Sequence, residues 1–309
     1  MSGKPPKFLN AVKGAFAAPS NDMKKTALTL YRRLLKNVGT FLSGHILSGK
    51  IEPGRMKQVI SQNRHALSLI HDWIPAGLIE KSVFRYGVNT DVGPLLNLPL
   101  DGECTHTDLL AYFGQVSREP RKYLELGVSV GKTFWPILNT CTPCECWGFD
   151  IEEINPALKQ HLIEESREEW GGLPDSIKKS PSSISRFVYP ANGNRIVYVC
   201  ADIFDERAWA LLSGQNFNLI LSDALHTPQA LEFEWSQMLN KNIFNPRETV
   251  IMWDDLDGAM RDWFQGKRQM IANHLSTAPG NVATLYLNGW LGRREFPHRL
   301  GLTVKKPSA

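Results

Sequence analysis

The chain has 309 residues, of which 42% are hydrophobic, 10% aromatic and 21% charged, the balance of a folded domain of moderate size with an appendage. No apolar run approaches the roughly 18–20 residues that a membrane-spanning helix needs. Five cysteines in a chain of this length do not make a secreted disulfide scaffold, and no signal-peptide core opens the sequence, which together predict a reducing, cytoplasmic setting. The net charge of +4 is unevenly spread: residues 1–70 carry 12 Lys/Arg against only Asp22 and Glu52, whereas the remainder carries 23 against 29. A basic arm is joined to a mildly acidic body.

Residues 1–23, with Lys4, Lys7, Lys13 and paired prolines at 5 and 6, read as a basic mobile tail. Residues 24–104 read as a helical region or lid. Ala27, Tyr31, Leu34, Val38 and Phe41 recur at helical spacing, and a second helix is expected over Pro53 to Trp73, with Val59, Ile60, Leu67 and Ile70 buried. Tyr86 to Asp101 is a Gly-, Pro- and Asn-rich loop, and Thr107-Asp108 is expected to cap a short helix over 109–116.

From residue 105 to 309 strands and helices alternate. Short apolar runs at 123–126, 146–150, 195–200, 217–223 and 249–255 are each followed by a helical stretch: 132–139, 156–170, 206–212, 228–239 and 257–275. Val282 to Leu291 and Arg299 to Val304 close the chain as two strands. Continuous apolar strands alternating with helices specify an α/β doubly wound, Rossmann-like parallel sheet covered on both faces, here with a terminal antiparallel pair.

In such a sheet ligands bind beyond the carboxyl ends of the strands. Each of the five strands delivers an acid there: Glu125, Asp150, Asp202, Asp223 and the pair Asp254-Asp255. Gly127 and Gly131 permit a tight turn and close backbone approach at a helix start. Asp150 suits a ribose diol, and Asp202 suits the exocyclic amine of a base. Gly131-Lys132-Thr133 imitates the end of a phosphate-binding loop, but the glycine that loop requires would fall at position 126, which is Leu. The dinucleotide fingerprint fails as well, since Ser129 replaces its middle glycine. A cofactor without phosphates fits better.

Glu-x-Gly-x-x-x-Gly at 125–131, Asp150, Ala201-Asp202 and Asp223 resemble the successive motifs of class I S-adenosylmethionine-dependent methyltransferases, over roughly residues 105–309. The resemblance implies a cofactor site of Glu125, Gly127, Ser129, Gly131, Asp150, Asp202, Ile203 and Asp223. Within that class, "ELGVSVGKT", "DALHTPQALEFEW" and "IMWDD" resemble the metal-dependent O-methyltransferases of the cephalosporin hydroxylase and rhamnosyl O-methyltransferase type. That likeness implies methyl transfer to a small-molecule hydroxyl, with Mg²⁺ held by Asp223, Asp254 and Asp255, hard oxygen ligands that suit the ion. Asp254 departs from the relatives, which often have Glu there. Three residues beyond Asp223, His226 is the candidate to accept the hydroxyl proton.

Other features read as structural. Cys141-x-x-Cys144-x-Cys146 has no nearby His and is expected to be packing thiols, and Glu164 to Glu169 a solvated helix face. Leu30-Tyr31-Arg32 resembles the LYR motif of small mitochondrial assembly factors, which keeps a mitochondrial address as an alternative. The expected role of the N-terminal region is a cap over the cleft, with Asp91, Thr105 and His106 as substrate contacts. The alternative function is a non-catalytic protein of this fold whose basic arm binds RNA or an acidic partner. A homo-oligomer is compatible with either reading.

Overall fold

The computed structural model describes residues 51–73, 104–170, 182–288 and 297–305. The basic tail, the helix expected near residues 23–42, Leu30-Tyr31-Arg32, the 86–101 loop and Asp91 lie outside the described residues. The described residues form seven α-helices: α1 (Pro53–Trp73), α2 (His106–Val116), α3 (Phe134–Thr140), α4 (Pro156–Lys159), α5 (Glu206–Leu211), α6 (Pro228–Asn240) and α7 (Gly258–His274). The strands are β1 (Lys122–Leu126), β2 (Glu145–Asp150), β3 (Ile163–Trp170), β4 (Ser182–Tyr189), β5 (Asn194–Cys200), β6 (Leu219–Ser222), β7 (Thr249–Trp253), β8 (Val282–Asn288) and β9 (Pro297–Lys305). No described helix is long and apolar enough to cross a membrane.

All nine strands join one sheet in the order β3-β4-β5-β2-β1-β6-β7-β9-β8. The five central strands, β5 to β7 in that order, run parallel, and β9 returns antiparallel beside β7 and pairs with β8. This is the Rossmann-like arrangement with a closing antiparallel pair that the alternating pattern specified. Strand periodicity divides the core in two. Tyr123, Cys146, Leu219, Leu221 and Met252 face one side with α2 and α3, while Leu124, Leu126, Ile220, Ile251 and Trp253 face the other with α6 and α7. Fully buried Trp135, Trp209, Trp235 and Trp253 anchor these layers, and each large apolar side chain so buried contributes about 1.5–3 kcal/mol.

Two expectations are corrected. The helix over 156–170 stops at Lys159, and Ile163–Trp170 is a strand paired antiparallel with β4, itself not expected. Glu164 to Glu169 therefore lie on a solvated edge strand, where Arg167 pairs with Glu153 and Glu169 and Arg186 with Glu168; charges along an edge also discourage pairing with other chains. The cap of α2 is Thr105, not Thr107: its hydroxyl accepts the Asp108 amide, and the Asp108 carboxylate accepts the Thr105 amide at 2.8 Å, a reciprocal capping box.

Helix α1 spans its expected range and buries Val59, Ile60 and Leu67. It packs on α2 and α3, and the Trp135 indole donates to the Ala66 carbonyl at 3.0 Å. Thr105 and His106, expected to touch substrate, are 1% and 0% exposed and belong to this packing. His106 Nε2 lies 3.2 Å from the Thr133 hydroxyl, at the head of α3. The cysteines of 141–146 are buried and unlinked, as thiols packed in the interior.

Candidate active site

The strand order reverses between β1 and β6, because the chain leaves β1 toward β2 on one side and returns as β6 on the other. At that reversal the Asp223 amide donates to the Leu126 carbonyl at 2.8 Å and the Gly127 amide to the Phe149 carbonyl at 2.8 Å. Gly127 has φ +86° and Gly131 φ +82°, with Ser129 between them at φ +55°. Such a succession of left-handed residues folds the turn tightly. On the Cβ side both glycines are filled by the chain itself. A Cβ on Gly127 would stand 2.2 Å from the Asp223 carbonyl oxygen, and one on Gly131 would stand 2.3 Å from Leu158. The close approach expected of a ligand is thus made, on that side, by the protein.

Glu125 is buried on β1, where its carboxylate accepts the Tyr123 hydroxyl at 2.5 Å. Burial pushes this carboxyl well above the usual range; the Tyr123 hydroxyl opposes the shift, and Asp223, Asp150 and Asp254 reinforce it. Asp150 accepts two amides, from Ser129 at 2.8 Å and from Glu152 at 2.9 Å, which leaves lone pairs on both oxygens. Burial pushes its carboxyl up, against those amide donors. Asp202 closes the turn after β5 by accepting the Phe204 amide at 2.8 Å, and Ile203 is buried with its carbonyl on the Trp209 indole. Apolar side chains stand exposed beside these acids: Ile151 after Asp150, Phe204 after Asp202 and Leu225 after Asp223. Their alternation with carboxylates makes the rim amphipathic.

The strongest cluster lies after β6 and β7. His226 Nε2 is 3.0 Å from Asp223 Oδ1, and its Nδ1 is 3.0 Å from Asp255 Oδ2, so the ring spans the two loops. Asp255 takes that position with a left-handed backbone, φ +46°. Held between two carboxylates, the imidazole is pushed up to about 11, with partial burial opposing. Burial and the adjacent Asp254 carboxyl push Asp223 well above the usual carboxylate range, and His226 pulls it back.

The Mg²⁺ expectation for Asp223, Asp254 and Asp255 does not fit this arrangement. Among the described residues no three His, Cys, Asp or Glu groups are disposed to hold a metal ion. The physical reason is that Asp255 is turned onto His226, whose ring stands between it and Asp223, while Asp254 is buried against Asp223. Asp223 and Asp254 meet side chain to side chain, while Asp255 is engaged by His226, so the three do not present a ready set of oxygen ligands for a compact, hard cation.

Two residues of this neighbourhood escaped the sequence reading. Tyr123 holds Glu125, a contact implied by i, i+2 spacing on one strand face. Glu234 on α6 is buried behind Ser222, whose hydroxyl donates to it at 2.5 Å. Among the glutamates of that helix nothing in the local sequence marks it as the inward one.

No protein-family model matches the chain, and no curated protein does. Solved structures to which the chain is similar include the SAH-bound methyltransferase PaMTH1 of Podospora anserina, 12% identical over 96% of this chain and 100% of that one, at a TM-score of 0.38. A candidate O-methyltransferase from Klebsiella pneumoniae is 14% identical over 89% of this chain and 100% of its own, at 0.36. The MycE methyltransferase of the mycinamycin biosynthetic pathway, in complex with Mg and SAH, is 12% identical over 75% of this chain and 57% of its own, at 0.33. A likeness of this size assigns no activity, ligand or substrate to the chain.

Proposed function

We propose that the chain transfers a methyl group from S-adenosylmethionine to a hydroxyl of a small molecule. The observation that carries this reading is the juxtaposition, along one sheet edge, of the β1 turn, Asp150, Asp202 and the Asp223–His226–Asp255 chain, interleaved with Ile151, Phe204 and Leu225. An amphipathic, acid-lined rim at the switch point suits an adenosine carrying a cationic group. Under this reading Glu125, Gly127, Ser129 and Gly131 shape the turn that receives the amino-acid end, Asp150 accepts from the ribose hydroxyls, and Asp202 and Ile203 border the base.

When bound, the cofactor supplies an electrophilic methyl on a positively charged sulfur. Asp223 and Glu125 border that sulfonium with buried carboxyls that a neighbouring positive charge draws toward the ionised form, which favours its retention at the switch point. His226 faces the acceptor side. Raised to about 11 by its two carboxylate neighbours, the ring is an imidazolium at neutral pH, donates through both nitrogens and has no free lone pair. It takes up the acceptor's proton once it has yielded its own to solvent by way of Asp255, the more exposed of its two partners. The new carbon–oxygen bond forms as the carbon–sulfur bond breaks, the electron pair remains on sulfur, and the hydroxyl proton ends on His226.

Calorimetric titration with S-adenosylmethionine and its demethylated product tests the cofactor half; heats with a stoichiometry near one are expected. Transfer of a labelled methyl to a panel of hydroxylated small molecules tests the acceptor half. Absence of binding of either nucleoside would remove the reading. The alternative, in which a basic arm docks on RNA or an acidic partner, rests on residues that lie mostly outside those described.

A further inference from the structure

Behind the acidic rim sits a carboxyl that the proposed chemistry leaves unused. Glu234 is 1% exposed; its Oε2 accepts from Ser222 at 2.5 Å, and its Oε1 is buried without a hydrogen-bond partner among the described residues. Ser222 is a junction. It is the last residue of β6, lies opposite Trp253 in the β6–β7 register, and its carbonyl accepts the Asp254 amide at 2.9 Å. The next residue is Asp223, whose own amide is tied to Leu126. Whatever holds the Ser222 side chain therefore acts where the segments bearing Asp223, His226 and Asp254 diverge.

We propose that Glu234 is a positioning residue of this rim, which through Ser222 holds the Asp223 and Asp254 segments together and by gaining or losing a proton changes the charge that His226 faces. The inference deepens the methyl-transfer reading and rests on it for its functional meaning. Burial pushes the Glu234 carboxyl up to about 7, while the Ser222 hydroxyl and the charge of His226 pull it down. The groups around it are few. β6 presents the Ser222 hydroxyl, the following loop presents His226, and β7 brings the uncharged Trp253 against α6 at Trp235. Lys267 of α7 is taken by Glu232, at 3.0 Å. Ionisation of Glu234 thus adds a negative charge whose nearest compensation is His226, and an imidazole facing one more anion releases its proton less readily.

The test reads the coupling without any methyl transfer. In protein labelled with carbon-13 at glutamate carboxyls, the resonance lost in Glu234→Gln is followed against pH. A midpoint near 7 is expected, rising by about half a unit or more in His226→Asn, which removes a cation that favours the ionised form. A midpoint in the ordinary glutamate range, or one that His226→Asn leaves in place, overturns the proposal even if the chain proves to be a methyltransferase; loss of nucleoside binding with the coupling intact overturns only the enzyme reading. In turnover, Glu234→Gln keeps an acceptor for Ser222 and is expected to hold KM while removing the inflection near neutrality from the pH profile. Glu234→Asp, which withdraws the acid from Ser222, is expected to lower kcat about tenfold at unchanged KM. Wild-type pH profiles in both variants overturn the positioning role.

Discussion

The carboxylate of Asp150 holds the backbone amide of Ser129 at 2.8 Å, so the last residue of β2 shapes the turn that follows β1. Asp150 also accepts the Glu152 amide, and it is the residue proposed to meet the ribose. Asp150→Ala leaves two amides without their acceptor, which costs about 1–3 kcal/mol of stability. Binding of S-adenosylhomocysteine is expected to weaken by about tenfold or more, because both the turn and the diol lose a partner. Asp150→Asn keeps an acceptor oxygen and is expected to fall between the two. Thermal unfolding and calorimetric titration of the three proteins separate the contributions.

The contrast between Gly127 and Gly193 tests what the turn after β1 requires. Both have positive φ, +86° and +75°. A Cβ at Gly193 meets nothing within 4 Å, whereas one at Gly127 stands 2.2 Å from the Asp223 carbonyl oxygen. Gly193→Ala therefore bears only the left-handed backbone penalty, about 1–2 kcal/mol. Gly127→Ala must also part the β1 and β6 loops and is expected to lose at least about 2 kcal/mol more, close to the overpacking range. Denaturant unfolding of both variants gives the difference directly. Equal losses would mean that the two loops separate freely, and the switch point would then not be rigid.

The parallel strands were legible because each is buried on both faces and reads as an apolar run; β1, β2, β5, β6 and β7 need no partner in sequence to be recognised. β3 was not, because Ile-Glu-Glu-Ser-Arg-Glu-Glu-Trp is rich in helix formers and, on an exposed edge, shows no alternation of polar and apolar residues. Only pairing with β4 makes it a strand, and that pairing is a tertiary fact. The acids of the rim were legible for the same reason as the strands that end in them. The bridge from Asp223 through His226 to Asp255 was not, since it depends on a left-handed Asp255 that turns the side chain away from Asp254. Burial of Thr105 and His106 beneath α1 was likewise invisible, because both residue types are at home on surfaces.

His226 gives the reaction a direction in pH. Raised to about 11 by Asp223 and Asp255, it is protonated through the neutral range and must lose that proton before it can take one from the acceptor. The kcat/KM of methyl transfer is therefore expected to rise about tenfold per pH unit over roughly pH 7–10, apart from the Glu234 inflection. Asp255→Asn removes one of the two anions and is expected to move the rise to lower pH, by about one unit. Steady-state rates of both proteins across that range check it. A profile that falls with pH would assign the proton transfer to another group.

Glu234→Gln carries a stability signature that is independent of any reaction. The folded-state value of about 7 lies above the ordinary 4.5 of a glutamate, so the folded protein holds this proton more tightly than the unfolded chain. Its contribution is fully present below pH 4.5 and is lost as pH rises toward 7, because the unfolded chain ionises freely over that range while the buried carboxyl keeps its proton. Glutamine never ionises and escapes that loss. Relative to wild type, Glu234→Gln is expected to gain about 1–3 kcal/mol between pH 5 and pH 8. Thermal melts at the two pH values measure the gain, and the sign matters more than the size. If the wild type is favoured at pH 8, the ionised Glu234 is compensated within the fold, and His226, the cation that acts on it, is the group to examine by imidazole nitrogen chemical shifts.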